Sequence, residues 1–535
     1  MPTSTPLSPA LSETEAPQLS QGAAPVIFGV AAVQVLVLVI LVAKNGAYGY
    51  FSDEFYHIAC SERLAWGYVD HPPLTVALLA LIRAVFGDAV WAMRLGPILA
   101  TAGVIVLTGL MARRLGAGTF GQGLAALAAT VTPWYLVPSS TWTLNSFDTF
   151  FWVLGAYVII GILKSENPKG WLVFGIIAGL GLLTKLSMGY LLIGLFVALL
   201  LTPNRKYFMS KVDGKYHPGW QLWGGVALAL LIFLPHVIWQ VQNGWPTVEF
   251  ARGSNAAFGT VPLEFLRGQV MDMNPFNLPI WLTGLYFFLF CKRGRTYRLM
   301  GVIYVSIFIL MIVGHAKSYY LEGAYPMLFA GGALLIESFV ERGRWRARIL
   351  KPVIVTALVG IVAIFLPLVL PVLPPKQLLA YQERLGTPAD EAQVPTILAD
   401  RLGWEEYVSQ IAAVYESLPE EDQKECVILG GSYNQAASVD FLGKKHGLPP
   451  AISRHNNYWL WGPGDTSWDV VIAVYVPKEL LDDMFGEVVE AARTSGDYFA
   501  SNSLDNKGRN DEPIYICRNP KRPIPEVWAE WKMFL

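Results

Sequence analysis

The sequence predicts a polytopic α-helical membrane protein followed by a soluble α/β domain. The 535-residue chain is 53% hydrophobic and only 15% charged, whereas ordinary soluble proteins carry about 25% charged residues. Apolar stretches long enough to cross about 30 Å of hydrocarbon recur over residues 24–375. Residues 376–535 hold 15 Lys and Arg against 25 Asp and Glu, while the preceding part holds 25 against 16. These observations exclude a purely soluble enzyme.

The chain divides into three predicted parts. Residues 1–23 contain no Lys or Arg, so they lack the basic segment of a cleavable signal peptide, and we expect a disordered leader. Residues 24–375 are predicted to form the membrane domain and residues 376–535 the soluble domain. In the soluble domain, patterns typical of strands lie at 425–430, 469–476 and 513–517, and helical periodicity lies at 400–418 and 478–494.

About eleven apolar stretches are candidates for membrane-spanning helices, several of them short. They lie near residues 24–43, 91–111, 120–137, 147–163, 171–185, 187–201, 222–240, 277–291, 299–314, 323–340 and 350–373. Residues 74–86 are also apolar, but they are too few to span and they include Arg83. An interfacial helix is therefore predicted there.

Lys and Arg in the connecting loops predict the orientation of the chain. If the N-terminus is inside, the cytoplasmic loops carry seventeen of these residues and the opposite loops carry six. With eleven spans the soluble domain lies on the periplasmic or extracellular side of a plasma membrane, the inner membrane in a bacterium. Candidate catalytic and binding residues are then expected in three outer segments, 44–90, 241–276 and 315–322.

The first outer segment contains two adjacent carboxylates, Asp53 and Glu54, just beyond the first span. Ionisable groups at a membrane boundary are costly unless they are solvated or paired, and they indicate a functional site. The alternative is that Asp53 caps an interfacial helix beginning at Glu54, because Asp is a good N-cap. The residues by themselves do not favour either interpretation.

The same segment reads Gly-Tyr-Val-Asp-His-Pro-Pro-Leu over residues 67–74. An acidic residue in a long first outer loop followed by this motif resembles the polyprenyl-phosphate-sugar-dependent transferases of the GT-C fold. The nearest groups are glycosyltransferase family 39, which is protein O-mannosyltransferase-like, and the lipid A aminoarabinose transferases. Further matches follow in the same order at Arg94-Leu95, Ser146–Phe151, Gly181–Lys185 and Lys317–Tyr320.

This resemblance implies an inverting glycosyltransferase that moves a sugar from a polyprenyl-phosphate donor to an acceptor hydroxyl of a lipid, glycan or protein. A hydroxyl is a poor nucleophile, so a positioned carboxylate must take its proton. Asp53 matches the family's catalytic aspartate and is implied to be this base. Asp148, near the start of the fourth span, is implied to share the cavity, although the helix dipole also favours a carboxylate there.

The departing lipid phosphate requires cations near the membrane surface. Lys185, at the end of a span on the outer side, is the principal candidate, with simple snorkelling to the interface as the alternative. Lys317 and Tyr319 match the family motif more loosely, and Lys317 is equally compatible with a solvated loop charge. Arg252 and Arg267 are further candidates for the phosphate, and their spacing does not choose between them.

Glu54, Tyr56, Asp70 and His71 are expected to complete the substrate-binding site. A metal ion held by His57, His71 and Glu54 is an alternative, but their spacing matches no recognised ligand pattern. A lipid monophosphate donor also has no pyrophosphate to neutralise. We therefore expect no cofactor and no metal site, with a divalent ion left as the alternative.

A transporter or flippase of lipid-linked sugars is the main competing function. It predicts inverted repeats with broken helices, and we find no such internal symmetry. The expected partners are the lipid-linked donor, the acceptor and membrane lipids, with no nucleic acid. In the soluble domain, the aromatic stretch 454–464 fits contact with a sugar or with the membrane interface. Cys426 and Cys517 are either isolated small hydrophobic residues or a disulfide.

Overall fold

The computed structural model describes residues 24–44, 48–212, 215–388, 393–464, 467–496 and 511–535. The predicted leader at 1–23 lies outside the described residues. The described chain has a helical part up to residue 369 and a mixed α/β part after it.

The helical part contains long apolar helices joined by short polar segments. In chain order its elements are α1 (Ala24–Ala43), α2 (Ser52–Glu62), α3 (Leu74–Phe86), α4 (Val90–Leu115), α5 (Thr119–Thr130), α6 (Pro133–Ser139), α7 (Leu144–Ser165), α8 (Gly170–Thr184), α9 (Met188–Leu201), β1 (Met209–Val212), β2 (Lys215–Pro218), α10 (Trp220–Gln242), α11 (Pro246–Phe258), α12 (Pro262–Met271), α13 (Leu278–Phe290), α14 (Arg298–Val313), α15 (Tyr325–Val340) and α16 (Arg344–Val369). A 3-10 segment, Ser318–Ala324, leads into α15.

Within the described ranges, seven helical segments are long and apolar enough to cross a membrane. They are Ala24–Ala43, Val90–Leu115, Leu144–Ser165, Trp220–Gln242, Arg295–Val313, Ser318–Val340 and Arg344–Val369. Helices α8 and α9 and the segment Pro275–Phe290 are apolar but shorter. A polytopic helical membrane fold is thus confirmed, whereas the count of eleven spans is not.

The predicted span at 120–137 is two helices in the structure. Helix α5 ends at Thr130, and α6 begins at Pro133. Proline lacks a backbone N–H, and its ring disfavours helical geometry in the preceding residue. The residue at this junction, Thr132, is extended, so the chain bends before it continues.

Two helices in the centre of the helical part approach each other closely. A Cβ atom added to Gly284 of α13 would lie 1.9 Å from the carbonyl oxygen of Leu328, and one added to Gly332 of α15 would lie 1.9 Å from that of Ile280. Small residues allow this backbone contact between apolar helices. In the apolar stretch of Ser318–Val340, 78% of the residues are buried, a larger share than in the other six candidate spans, so this segment lies at the centre of the bundle.

The predicted cytoplasmic loops meet at one end of the bundle. Lys164 Nζ donates to the carbonyl of Arg114 over 2.8 Å, and Arg293 donates to the carbonyl of Gly116 over 3.0 Å. The basic loops that follow α4, α7 and α13 are therefore neighbours. Their common location supports the prediction, made from the charge pattern, that these basic loops lie on the same side of the membrane.

The α/β part contains a five-stranded mixed sheet with the strand order β4-β3-β5-β7-β6. Its elements are α17 (Pro375–Arg384), α18 (Thr396–Ala399), α19 (Trp404–Glu416), α20 (Glu420–Glu425), β3 (Cys426–Gly430), α21 (Tyr433–Leu442), β4 (Ala451–Ile452), α22 (Asn457–Trp461), β5 (Val470–Val474), α23 (Lys478–Met484), β6 (Phe485–Arg493), β7 (Pro513–Pro520) and α24 (Ile524–Glu530). Strand β3 runs parallel to β4 and β5, and β7 runs antiparallel to β5 and β6. The three predicted strands are confirmed as β3, β5 and β7.

The sheet corrects one predicted helix and decides between the two alternatives left open for Cys426 and Cys517. The predicted helix at 478–494 is wrong beyond Met484, because the following residues pair with β7 as the edge strand β6. Cys426 and Cys517 are free and buried. They lie on β3 and β7 with β5 between them, about 9.5 Å across the sheet, which is too far for a disulfide.

Candidate active site

A polar cavity of about 450 Å³ lies where the ends of α8 and α9 meet α11 and the segment before α15. Three predicted residues, Asp70, Lys185 and Lys317, line it together. We call this cavity the polar chamber. The sequence places these residues far apart, and the fold brings them to one site.

A larger groove of about 870 Å³ adjoins the polar chamber. The two share Leu186, Thr247 and Ala251 as lining residues. The groove is lined largely by apolar side chains of α10 and α11, with Phe233 and Val248 among them. We call it the apolar groove. A molecule with a charged head and a hydrocarbon chain matches the two cavities taken together.

Lys185 lies at the end of α8, where the backbone becomes extended and ends the helix. Its Nζ donates to Asn145 Oδ1 over 2.7 Å and lies 3.7 Å from Asp148 Oδ2. The ammonium group also faces the rings of Tyr319 and Tyr320, at 5.4 and 5.0 Å from their centroids. Lys185 is thus directed into the protein, and simple snorkelling does not describe it.

Asp148 lies behind Lys185 on α7 and is buried. Besides its contact with Lys185, it accepts a hydrogen bond from Ser187 Oγ. A buried carboxylate beside an ammonium group fixes the cation electrostatically. Asp148 is not among the residues that line the polar chamber, and its contacts hold Lys185 in place.

Tyr319 and Glu322 complete the surroundings of Lys185. Tyr319 stacks on Trp134, with ring centroids 4.6 Å apart, which fixes its ring beneath the ammonium group. Glu322 is buried and accepts a hydrogen bond from Thr149 Oγ1 over 3.2 Å. Glu322 was not among the residues predicted from the sequence, although an acidic residue within an apolar segment is a signal for function.

Asp53 lies in the first turn of α2 and, like Asp148, does not line the polar chamber, but it interacts electrostatically with Asp70, which does. The helix begins at Ser52 with Phe51 as its N-cap, so the alternative that Asp53 caps a helix starting at Glu54 is wrong. Asp53 is partly exposed, and its Oδ1 accepts a hydrogen bond from Tyr433 over 3.1 Å. Burial raises the pKa of Asp53, while His57 and the Tyr433 hydroxyl act in the opposite direction.

Glu54 faces the interior, in contrast to Asp53. Its carboxylate accepts hydrogen bonds from the backbone N–H groups of Phe51 and Trp142, each over 2.8 Å. It also forms a buried ion pair with Arg94, at 2.9 Å. The predicted role of Glu54 in substrate binding is therefore not supported by its position, because these partners use its oxygens to anchor the outer loop.

Asp70 is contacted by two other predicted residues of the first outer loop, Tyr56 and His71. Tyr56 donates to Asp70 Oδ1 over 2.8 Å, and His71 Nε2 lies 3.8 Å from the same oxygen. Burial raises the pKa of Asp70 to about 6 and lowers that of His71 to about 4. Tyr56 and His71 are buried, so they support Asp70 from behind the chamber.

The metal alternative finds no support among the residues that the structure describes. His57 and His71 stack with their centroids 5.2 Å apart, but Glu54 turns away from them to Arg94. No group of three or more His, Cys, Asp or Glu residues in the described chain is placed to hold a metal ion.

The two arginine candidates are separated by the fold. Arg252 on α11 lines the apolar groove. Arg267 on α12 is exposed and lines neither the groove nor the polar chamber. The prediction that Arg267 contacts the phosphate is therefore not supported by its position.

The stretch 454–464 connects the sheet to the first outer loop. Asn457 Oδ1 accepts the backbone N–H of Val69 over 3.0 Å, and its amide nitrogen donates to the Tyr56 hydroxyl. Tyr458 is buried and donates to Asp440. These contacts bury the centre of the stretch between protein elements, so neither of its two predicted roles, sugar contact or membrane contact, is supported for Asn457 and Tyr458.

Comparison with known proteins identifies the fold class as that of the GT-C glycosyltransferases, so the resemblance found in the sequence is confirmed. Residues 70–239 match the family model described as dolichyl-phosphate-mannose-protein mannosyltransferase. The structures of ArnT from Cupriavidus metallidurans, bound to undecaprenyl phosphate and in the apo state, each align with a TM-score of 0.56. The bound structure is 15% identical and the alignment covers 93% of this chain and 98% of ArnT; the apo structure is 14% identical, with 91% and 97% covered.

A relative is also found by sequence. Lipid A galacturonosyltransferase RgtD of Rhizobium johnstonii is 24% identical over 257 residues, which cover 46% of this chain. The match spans 50% of RgtD, so the chain matches about half the length of this curated relative.

Proposed function

We propose that this protein is a glycosyltransferase that moves a sugar from a polyprenyl-phosphate donor to an acceptor hydroxyl at the outer face of a plasma membrane. The observation that carries the proposal is the continuity of the polar chamber, with Lys185 and Lys317, and the apolar groove. A lipid-linked sugar phosphate has the same division between an anionic head and a hydrocarbon chain. The relatives found in the comparisons are named as glycosyltransferases, which favours transfer over transport.

In this proposal the donor phosphate binds to the two lysines of the polar chamber. Lys185 comes from the end of α8 and Lys317 from the segment before α15, so two separate elements contribute the positive charge. Charges interact more strongly in a partly enclosed site than in water. The hydrocarbon chain then extends along the apolar groove, where Arg252 lies on the wall.

Asp53 is proposed as the general base. As the acceptor oxygen attacks the anomeric carbon of the sugar, its proton passes to the Asp53 carboxylate. The bond from the anomeric carbon to the phosphate oxygen breaks, and its electron pair remains on the phosphate, where Lys185 and Lys317 stabilise the developing charge. Attack from the side opposite the leaving phosphate inverts the anomeric configuration. In this proposal Asp70, which lines the chamber wall, binds sugar or acceptor hydroxyls.

A transfer assay tests the proposal. The purified protein is incubated with a panel of polyprenyl-phosphate sugars and with lipid, glycan and peptide acceptors, and the products are analysed by mass spectrometry. We expect one donor and acceptor pair to give a glycosylated product together with free polyprenyl phosphate. Donor binding without product for every acceptor class, or movement of intact donor across vesicles, would contradict the proposal.

Replacing Lys185 by Ala is expected to weaken binding of polyprenyl phosphate, because Lys185 supplies one of the two chamber ammonium groups. Lys185→Arg should be partly tolerated, since it keeps the charge but changes the geometry. Binding is measured by the intrinsic tryptophan fluorescence of the protein on titration with polyprenyl phosphate. The matched control is Lys206→Ala, because Lys206 pairs with Glu166 in an exposed contact between the loops after α7 and α9. Equal affinities of Lys185→Ala and the control would show that Lys185 does not hold the phosphate.

The α/β part is expected on the periplasmic or extracellular side, because the predicted cytoplasmic loops lie together at one end of the helical part. An alkaline phosphatase fused after residue 535 should be active, and a fluorescent protein fused there and exported unfolded should be dark. A bright fluorescent fusion would reverse the assigned orientation.

A further inference from the structure

We infer that Tyr433 of the α/β part is a positioning residue for Asp53, so that the α/β part completes the active site. This inference rests on the proposed function, because it assigns a role relative to the proposed base. It goes beyond that function in assigning a residue of the α/β part to the support of the proposed base.

The contact is direct and its geometry is constrained. The Tyr433 hydroxyl donates to Asp53 Oδ1 over 3.1 Å. The Tyr433 ring packs against the rings of Tyr56 and His455, with centroids 4.3 and 4.7 Å away. Two neighbouring rings leave little freedom for the side chain, so the hydroxyl is held towards the carboxylate.

The backbone that carries Tyr433 is also fixed. Tyr433 is the first residue of α21, and the preceding Ser432 forms a capping box with Gln435. The Ser432 N–H donates to Gln435 Oε1 over 2.8 Å. A capping box satisfies backbone groups at the start of a helix. It therefore fixes the backbone at Tyr433, from which the side chain extends towards Asp53.

The α/β part is bonded to the segment that carries Asp53. The N–H of Gly49 donates to the carbonyl of Arg401 over 3.0 Å, and that of Ser52 donates to the carbonyl of Asp400 over 3.1 Å. These bonds lie immediately before Asp53 in the chain. Catalytic groups keep their geometry when residues around them are locked by packing and hydrogen bonds. The two backbone hydrogen bonds thus fix the position of the α/β part relative to the segment that carries the Asp53 carboxylate.

The charges around Asp53 make the Tyr433 hydrogen bond important. Asp53 is faced by His57, Asp70 and Glu54 from the first outer loop, by Tyr319 from the segment before α15, and by Tyr433 and Asp400 from the α/β part. The carboxylates disfavour a further negative charge, whereas a hydrogen bond donated to the ionised form favours it. Tyr433 therefore helps Asp53 to remain ionised and able to accept a proton.

Tyr433→Phe tests the inference because it removes the hydroxyl and retains the ring contacts. A hydrogen bond to a charged group is worth about one to two pH units in the pKa of its acceptor. We expect the acidic limb of the kcat/KM profile to move up by about that amount, with donor KM little changed. The control is Tyr415→Phe, because the Tyr415 hydroxyl donates to the carbonyl of Gln423 within the α/β part.

An infrared titration separates this inference from the proposed function. The carbonyl band of the protonated Asp53 carboxyl group is assigned by its loss in Asp53→Asn, and its pKa is read without any transfer assay. A higher pKa in Tyr433→Phe than in the wild type and in Tyr415→Phe supports the inference. The same pKa in all three proteins overturns it. A wild type that transfers no sugar contradicts the proposed function, whereas the infrared shift still tests the Tyr433 contact.

Discussion

Asp53→Asn is expected to lower turnover by about 10²–10⁴-fold, the usual contribution of a general base. This range corresponds to about 3–5.5 kcal/mol in the activation free energy. Asparagine has the same shape and still accepts the hydrogen bond from Tyr433, but its amide does not take up the acceptor proton. The variant should therefore fold and bind the donor nearly normally. Single-turnover rates with saturating donor, together with donor affinity, measure the two effects separately.

Asp88→Asn is the matched control for this experiment. Asp88 belongs to the same outer segment, but its half-exposed carboxylate pairs with Arg83 at the surface. Glu54→Gln is less suitable, because it would leave Arg94 without its buried partner. Turnover of Asp53→Asn within a few-fold of the wild type would contradict the assignment. In that case Asp70, which lines the polar chamber, becomes the next candidate for the base.

Arg94→Met is expected to destabilise the protein by about 3–5 kcal/mol, the usual cost of leaving one partner of a buried ion pair uncompensated. Neither side chain of the Arg94–Glu54 pair is exposed by more than 1%. Arg94 also donates to the carbonyl of Gly49 over 2.9 Å. Its removal therefore loosens the segment that leads to Asp53 and leaves a buried carboxylate without its cation.

Denaturant unfolding in detergent, or the thermal midpoint in the same detergent, measures this effect. Lys206→Met is the control, because the side chains of Lys206 and its acidic partner Glu166 are 54% and 74% exposed. Exposed pairs contribute up to about 1 kcal/mol, so the control should unfold close to the wild type. Adding Glu54→Gln to Arg94→Met should restore part of the stability, because it removes the uncompensated charge. Equal small losses of stability in Arg94→Met and Lys206→Met would show that the buried pair does not anchor this segment.

Most of the element positions follow from local sequence patterns. Hydropathy over about twenty residues locates a membrane helix, as for α1 and α7, and a short β-branched run locates a buried strand, as for β5. Predictions failed where a local pattern was ambiguous. Residues 485–493 carry helical periodicity, yet they pair with β7 as an edge strand, because backbone hydrogen bonds to a distant strand outweigh a weak local preference.

For the candidate site, too, local sequence patterns predict some features and tertiary contacts decide others. The sequence by itself determined a membrane fold, with two carboxylates just after the first span and a set of cations, because ionisable residues at the ends of apolar segments are visible without knowledge of contacts. Only the tertiary structure decided that Glu54 is paired with Arg94, that Lys185 is held by Asp148, and that Tyr433 reaches Asp53 from 380 positions away. The physical reason is that the state of a carboxylate depends on the burial and hydrogen bonds supplied by its neighbours in space.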